Sequence, residues 1–201
     1  DNLDYLSNDL LEQMNQIKTK NADLATNANN SNNPEIKQKY KVLNELVVSV
    51  SNKLTQKINH LETIKTRLDN EYQTVLDEAN PLLNESTDEK LKDKTIDELT
   101  TLRQKLSSAK THASDVYQHA YNAGYTKKSD EALELQGKIE AAYNKVTALI
   151  KEAEKARKLI QEINDKIAEI QREKAKITEE IKQKVDPLEQ LIDTLKENNK
   201  N

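Results

Sequence analysis

Between Ile139 and Ile181 every seventh residue is apolar except Lys174: Ile139, Val146, Ala153, Ile160, Ile167 and Ile181. Three residues further on stand Ala142, Leu149, Ala156, Ile163, Ile170 and Ile177. An apolar repeat of 3.5 residues held over this distance makes a seam that only another helix can cover. The same period recurs as Val47, Leu54, Leu61, Leu68 and Val75. It returns as Leu99, Leu102, Leu106, Ala109, Ala113, Val116 and Ala120. The expected fold is therefore all-α: an elongated antiparallel coiled coil or helical bundle of four long helices plus a short C-terminal helix.

Composition fits narrow seams rather than a wide core. Only 35% of the 201 residues are hydrophobic, 33% are charged, and Trp and Phe are absent. Helix-helix seams need only one apolar residue in three or four. Two Gly and three Pro leave few breaks, so the helices should be long. The net charge of −4 is spread as alternating signs, which reads as a solvated, salt-bridged surface. No basic stripe with interleaved aromatics is present, so no nucleic-acid partner is expected. No apolar run is long enough to span a bilayer. Zero cysteine excludes disulfide and thiolate chemistry.

Start and stop signals divide the chain into two expected units. Unit 1 covers 1–90, with helices over about 3–28 and 34–79; unit 2 covers 91–201, with helices over about 95–123 and 129–185 and a terminal helix over 187–198. Asn33-Pro34-Glu35 supplies a cap, a proline whose missing N–H is harmless there, and an acid at the positive helix end. Asn80-Pro81 and Asp186-Pro187 are read as breaks, because proline disfavours helical geometry in the residue before it. Thr95-Ile-Asp-Glu98 fits a capping box, and Gly124 suits a left-handed helix end. The region 84–94 is expected to be a loop with a helical turn.

The two proline breaks suggest a duplication. With Pro81 laid on Pro187, Leu43, Leu54, Leu61, Ile64 and Val75 fall on Leu149, Ile160, Ile167, Ile170 and Ile181. The shorter helices need another offset, at which Leu10, Met14, Ile17 and Leu24 fall on Leu102, Leu106, Ala109 and Val116. The competing account is that any two heptad helices align on their seams. The length of the fourth helix beyond the third leaves seam to be covered by the second helix, by the terminal helix or by another chain, so monomer and homodimer are both open.

The most distinctive local stretch runs from Tyr117 to Tyr125 and holds three of the seven tyrosines. Tyr117, Tyr121 and Tyr125 are four apart, and with His119 they are the candidate partner-binding residues, since tyrosine brings large contact area at low entropic cost. The alternative is that these tyrosines fill space beside the alanines of the third helix. His112, Asp115 and His119 share one helical stripe and could give three ligands to Zn²⁺, with a fourth from elsewhere; no metal and no cofactor is expected. Carboxylates are everywhere and none is singled out for acid-base work, and no nucleophile or phosphate-binding motif is present, so no enzyme is expected. Lys174 interrupts the seam, either fixing register or snorkelling to water.

The cassette spacing from Pro81 to Pro187, the heptads and the Cys-free, Lys/Asn-rich composition resemble the variable adherence-associated adhesins of mycoplasmas. More broadly they resemble helical-repeat surface proteins of low-GC bacteria. Tyr125-Thr-Lys-Lys-Ser129 and the helix after it also resemble FIVAR-type repeats of cell-wall proteins, without the aromatic usual after the serine. The resemblance implies a lipid-anchored extracellular rod of helices that binds a host cell-surface or matrix protein, with membrane attachment only through an anchor outside this segment. The rival is a structural coiled-coil spacer or scaffold that self-associates without a host ligand.

Overall fold

The computed structural model describes residues 2–6 and 8–200; Ser7, inside the expected first helix, lies outside them. A 3-10 turn over Leu3–Tyr5 precedes α1 (Asn8–Asn30), α2 (Pro34–Glu85), α3 (Asp88–Leu91), α4 (Ile96–Asn122) and α5 (Thr126–Asn198). Among the described residues there is no strand, and the chain is an all-α helical bundle. No described helix is long and apolar enough to cross a membrane.

Four expectations on helix ends are corrected. Pro81 lies inside α2, which runs on to Glu85. Proline removes one backbone donor, but Leu82 and Leu83 beyond it are half-buried, and buried Ser86 closes the end by donating to the Leu82 and Leu83 carbonyls. Pro187 likewise sits within α5, so no separate terminal helix forms; helix formers on both sides carry it through the lost bond. The first α-helix begins at Asn8 rather than Leu3, and the last at Thr126 rather than Ser129.

The capping signals at Asn33 and Thr95 act as read. Asn33 accepts from the Glu35 N–H at 2.9 Å, and Thr95 with Glu98 forms a reciprocal capping box. The region 84–94 holds the single turn of α3.

The contacts group the chain as 1–147 and 148–201, with the boundary inside α5. In the first unit, α1 folds back on the N-terminal half of α2. Asn21 donates to Asn44 at 2.7 Å and the Tyr40 hydroxyl to the Asn21 carbonyl at 2.7 Å, so this hairpin carries a polar layer in its seam. The second half of α2 packs antiparallel to α4, with Glu71 opposite His119 and Glu78 opposite His112. It runs parallel to the start of α5, with Asp69 near Lys128 and Ser86 near Lys145. Leu68 of α2, Leu106 of α4 and Ile139 of α5 are all fully buried. Of the alanines of α4 and early α5, Ala109, Ala113, Ala120, Ala132 and Ala142 are buried, whereas Ala141 faces solvent.

The second unit, 148–201, is helical through Asn198. Its seam positions Ile160, Ile163, Ile167, Ile170, Ile177 and Ile181 are all exposed. No separate terminal helix follows among the described residues, because α5 continues through Pro187.

Candidate functional site

The turn from α4 to α5 is built by sequence-local chemistry. Gly124 takes φ of 63°, which glycine adopts without steric cost. The Tyr125 N–H donates to Ala120 O at 2.9 Å and the Gly124 N–H to Tyr121 O at 3.0 Å, which is the Schellman pattern. The N-terminal segment then closes over this turn. Leu3 N–H donates to Ala123 O and Asp4 N–H to Gly124 O, at 2.9 and 2.8 Å. Asp4 returns the favour to α5, accepting from the Thr126 N–H at 2.9 Å and from the Thr126 hydroxyl. A carboxylate 122 residues away thus caps the helix, and no local sequence signal could have shown it. Leu3 is buried with Leu61, Leu68 and Ala120, and Tyr125 packs against that cluster.

Tyr125 is therefore anchored inward. Its hydroxyl donates to Asp69 Oδ1 at 2.9 Å, and Lys65 Nζ bonds the same carboxylate at 3.0 Å. Lys128, almost covered, lies 4.5 Å over the Tyr72 ring, 3.4 Å from Asp69 and 2.6 Å from Glu131. Burial, with the Asp69 hydrogen bond beside it, pushes the Tyr125 hydroxyl pKa up. Burial opposes the charge on Asp69, but the hydrogen bonds from Lys65 and Tyr125 prevail and hold its carboxyl below the usual range.

The structure brings the four candidate binding residues to one end of α4 but gives them different work. Tyr125 is a packing and hydrogen-bonding residue. His119 Nδ1 lies 2.9 Å from Glu71 Oε2. Tyr117 is half-buried, with its ring centroid 6.0 Å from that of Tyr121. Tyr121 alone of the three tyrosines is open, at 63% exposure. The His112, Asp115 and His119 stripe is not gathered around a shared point. His112 Nδ1 lies 2.7 Å from Glu78, so each ring faces its own carboxylate on α2. Among the described residues no group of three His, Asp or Glu is placed to hold a metal ion.

A larger candidate surface lies on α5. Leu159, Ile163, Ile167 and Ile170 line a shallow apolar depression edged by Glu162 and Lys166. The apolar stripe continues through Ile177, Ile181 and Leu188, all more than half exposed. Periodicity announced that these residues form a seam. It could not announce that the chain leaves them uncovered, because seam spacing is the same for a covered and an uncovered helix.

Comparison with protein family models, curated proteins and solved structures found no match.

Proposed function

We propose that this chain is a non-catalytic helical interaction segment that engages another protein chain through the apolar face of α5. One observation carries the reading: an apolar stripe running from Leu159 to Leu195 stands in solvent. Soluble chains rarely leave contiguous apolar area of that extent uncovered, and such patches mark interaction sites. Charged residues such as Glu162 and Lys166 flank the stripe as a polar rim.

The setting we propose is an extracellular bacterial surface adhesin, with a host cell-surface or matrix protein as the partner. Composition and the two-cassette plan support that setting. Tyr121, open beside Tyr117, is a second contact of smaller area.

The test is saturable binding of fluorescently labelled chain to cultured epithelial cells. Ile163→Glu with Ile170→Glu is expected to weaken binding at least tenfold, and Tyr121→Ala to change it less. Absence of saturable binding by the unaltered chain would overturn the adhesin setting. Binding indifferent to the paired glutamates would overturn the α5 face as the site.

The scaffold reading is favoured by a separate observation. The α1–α2 hairpin also shows apolar residues to solvent, among them Ile17, Leu24, Leu43 and Val50.

A further inference from the structure

The two hairpins share one plan. α1 ends at Asn30 and α4 at Asn122; α2 begins at Pro34 and α5 at Thr126, so both boundaries recur 92 residues on. At that offset Met14 falls on Leu106 and Ala28 on Ala120, and all four are buried. The prolines inside the long helices are instead 106 apart, so α5 is longer than α2 by two heptads before its proline.

The hairpins differ in what covers them. Ile17, Leu24, Leu43 and Val50 are 44 to 55% exposed, whereas their counterparts Ala109, Val116, Leu135 and Ala142 are 9% exposed or less. The second hairpin has the C-terminal half of α2 laid along it, whereas the first shows these four residues to solvent. The converse holds for the long helices. In α2, Leu61, Val75 and Ala79 are at most 7% exposed under the α4–α5 hairpin; 106 residues on, Ile167, Ile181 and Val185 are 40 to 56% exposed. One hairpin is open where the other is covered, and one helix is open where the other carries a hairpin.

We infer that the α1–α2 hairpin of one molecule docks on the α5 seam of a second copy, rebuilding between chains the three-helix packing that α2, α4 and α5 make within one. The inference rests on the reading of the α5 face as an interaction surface and assigns that face to a second copy rather than directly to a host protein. Dimensions agree: the 23 residues of α1 span ~35 Å, and the seam from Ile160 to Leu191 spans ~47 Å. The contact is heterologous, since each molecule offers two different surfaces, and it joins copies head to tail.

The experiment is sedimentation velocity on the full chain from micromolar to millimolar concentration. Two variants accompany it: Leu43→Glu with Val50→Glu on the hairpin, and Ile167→Glu with Ile181→Glu on α5. All four positions are exposed, and circular dichroism checks that helicity is kept. The unaltered chain is expected to grow in mass with concentration. Each variant alone is expected to stay at 23.0 kDa, and an equimolar mixture of the two to give a species of twice that mass. A chain that stays at 23.0 kDa at every concentration overturns the inference. So does a hairpin variant that still dimerises alone, because the α5 seam would then be pairing with itself. A monomer that nevertheless binds cells through Ile163 and Ile170 overturns this inference and leaves the interaction surface standing; failure of cell binding in a self-associating chain does the reverse to the adhesin setting.

Discussion

The Tyr125 hydroxyl donates to Asp69 Oδ1 at 2.9 Å, tying the turn that ends α4 to the middle of α2. The residue that sequence spacing offered as an exposed binding aromatic is thereby a fastener of the bundle. Tyr125→Phe keeps the ring in its cluster and loses the bond. Because Asp69 is partly open to solvent, the expected cost is about 1 kcal/mol. It should appear as a lower urea midpoint at unchanged slope. Tyr121→Ala, at an open position, is expected to shift stability by less than about 0.5 kcal/mol.

Asp69 sets an acid limit on the same fastening. Against the opposing effect of burial, the hydrogen bonds from Lys65 and Tyr125, with the charges of Lys65 and Lys128, hold its carboxyl below the ordinary range. A depressed carboxyl contributes stability above its unfolded-state pKa of about 3.9 and loses it as pH falls through the lower folded-state value. The melting temperature of Asp69→Asn should therefore lie below that of the unaltered chain by a constant gap from about pH 7 to pH 5, and the gap should close below about pH 4. Thermal melts by circular dichroism at fixed ionic strength test this. A gap that persists undiminished at about pH 2 would show that the charge is not its source.

Gly124 answers to two constraints that can be separated. Its φ of 63° costs a side-chain-bearing residue about 1–2 kcal/mol. A β-carbon there would also lie 2.5 Å from Asn2 Oδ1 and 3.0 Å from Asn2 Cα, so the N-terminal segment must move. Gly124→Ala is expected to cost more in the full chain than in one lacking residues 1–6, where only the backbone penalty of about 1–2 kcal/mol remains. Equal costs in both chains would mean that Asn2 yields freely.

Most of the helices were legible because their signals are local. The capping residues Asn33 and Thr95, the stop at Gly124 and the heptads of α4 act within a turn or two of their own position. The sequence misled where the deciding force is remote. Pro81 and Pro187 look like breaks because a local rule says so, yet each removes only one backbone bond within a long helix. Thr126 starts α5 because Asp4, far away in sequence, supplies the cap. The tyrosines show the same limit. Their four-residue spacing placed them near one another, but which one turned inward depended on Asp69 and Lys65 of another helix. The uncovered α5 face was beyond periodicity altogether, since a seam's spacing carries no record of whether its partner lies in the same chain.

Lys174 connects the fold to the inferred assembly. Measured from the prolines, it occupies the place in α5 that Leu68 holds in α2, and Leu68 is 0% exposed at the centre of the α2–α4 packing. Leu68→Ala should therefore cost about 2–5 kcal/mol of stability in the isolated molecule. Lys174 itself stands in solvent, so Lys174→Leu should leave the monomer's urea midpoint almost unchanged. Its effect should fall on association. A lysine in the middle of an apolar seam must carry its ammonium out to water when a hairpin closes over it, at a cost in packing. Leucine removes that cost and restores the residue type that α2 uses under the same hairpin plan. Self-association should then tighten about tenfold, corresponding to about 1.4 kcal/mol, read as a fall in the concentration at which sedimenting mass begins to rise. The change should vanish in the Leu43→Glu/Val50→Glu background, because without the hairpin face nothing remains to close over residue 174. Tightening that survives in that background would place Lys174 opposite another α5 instead, where it would be setting the register of a symmetric coiled coil.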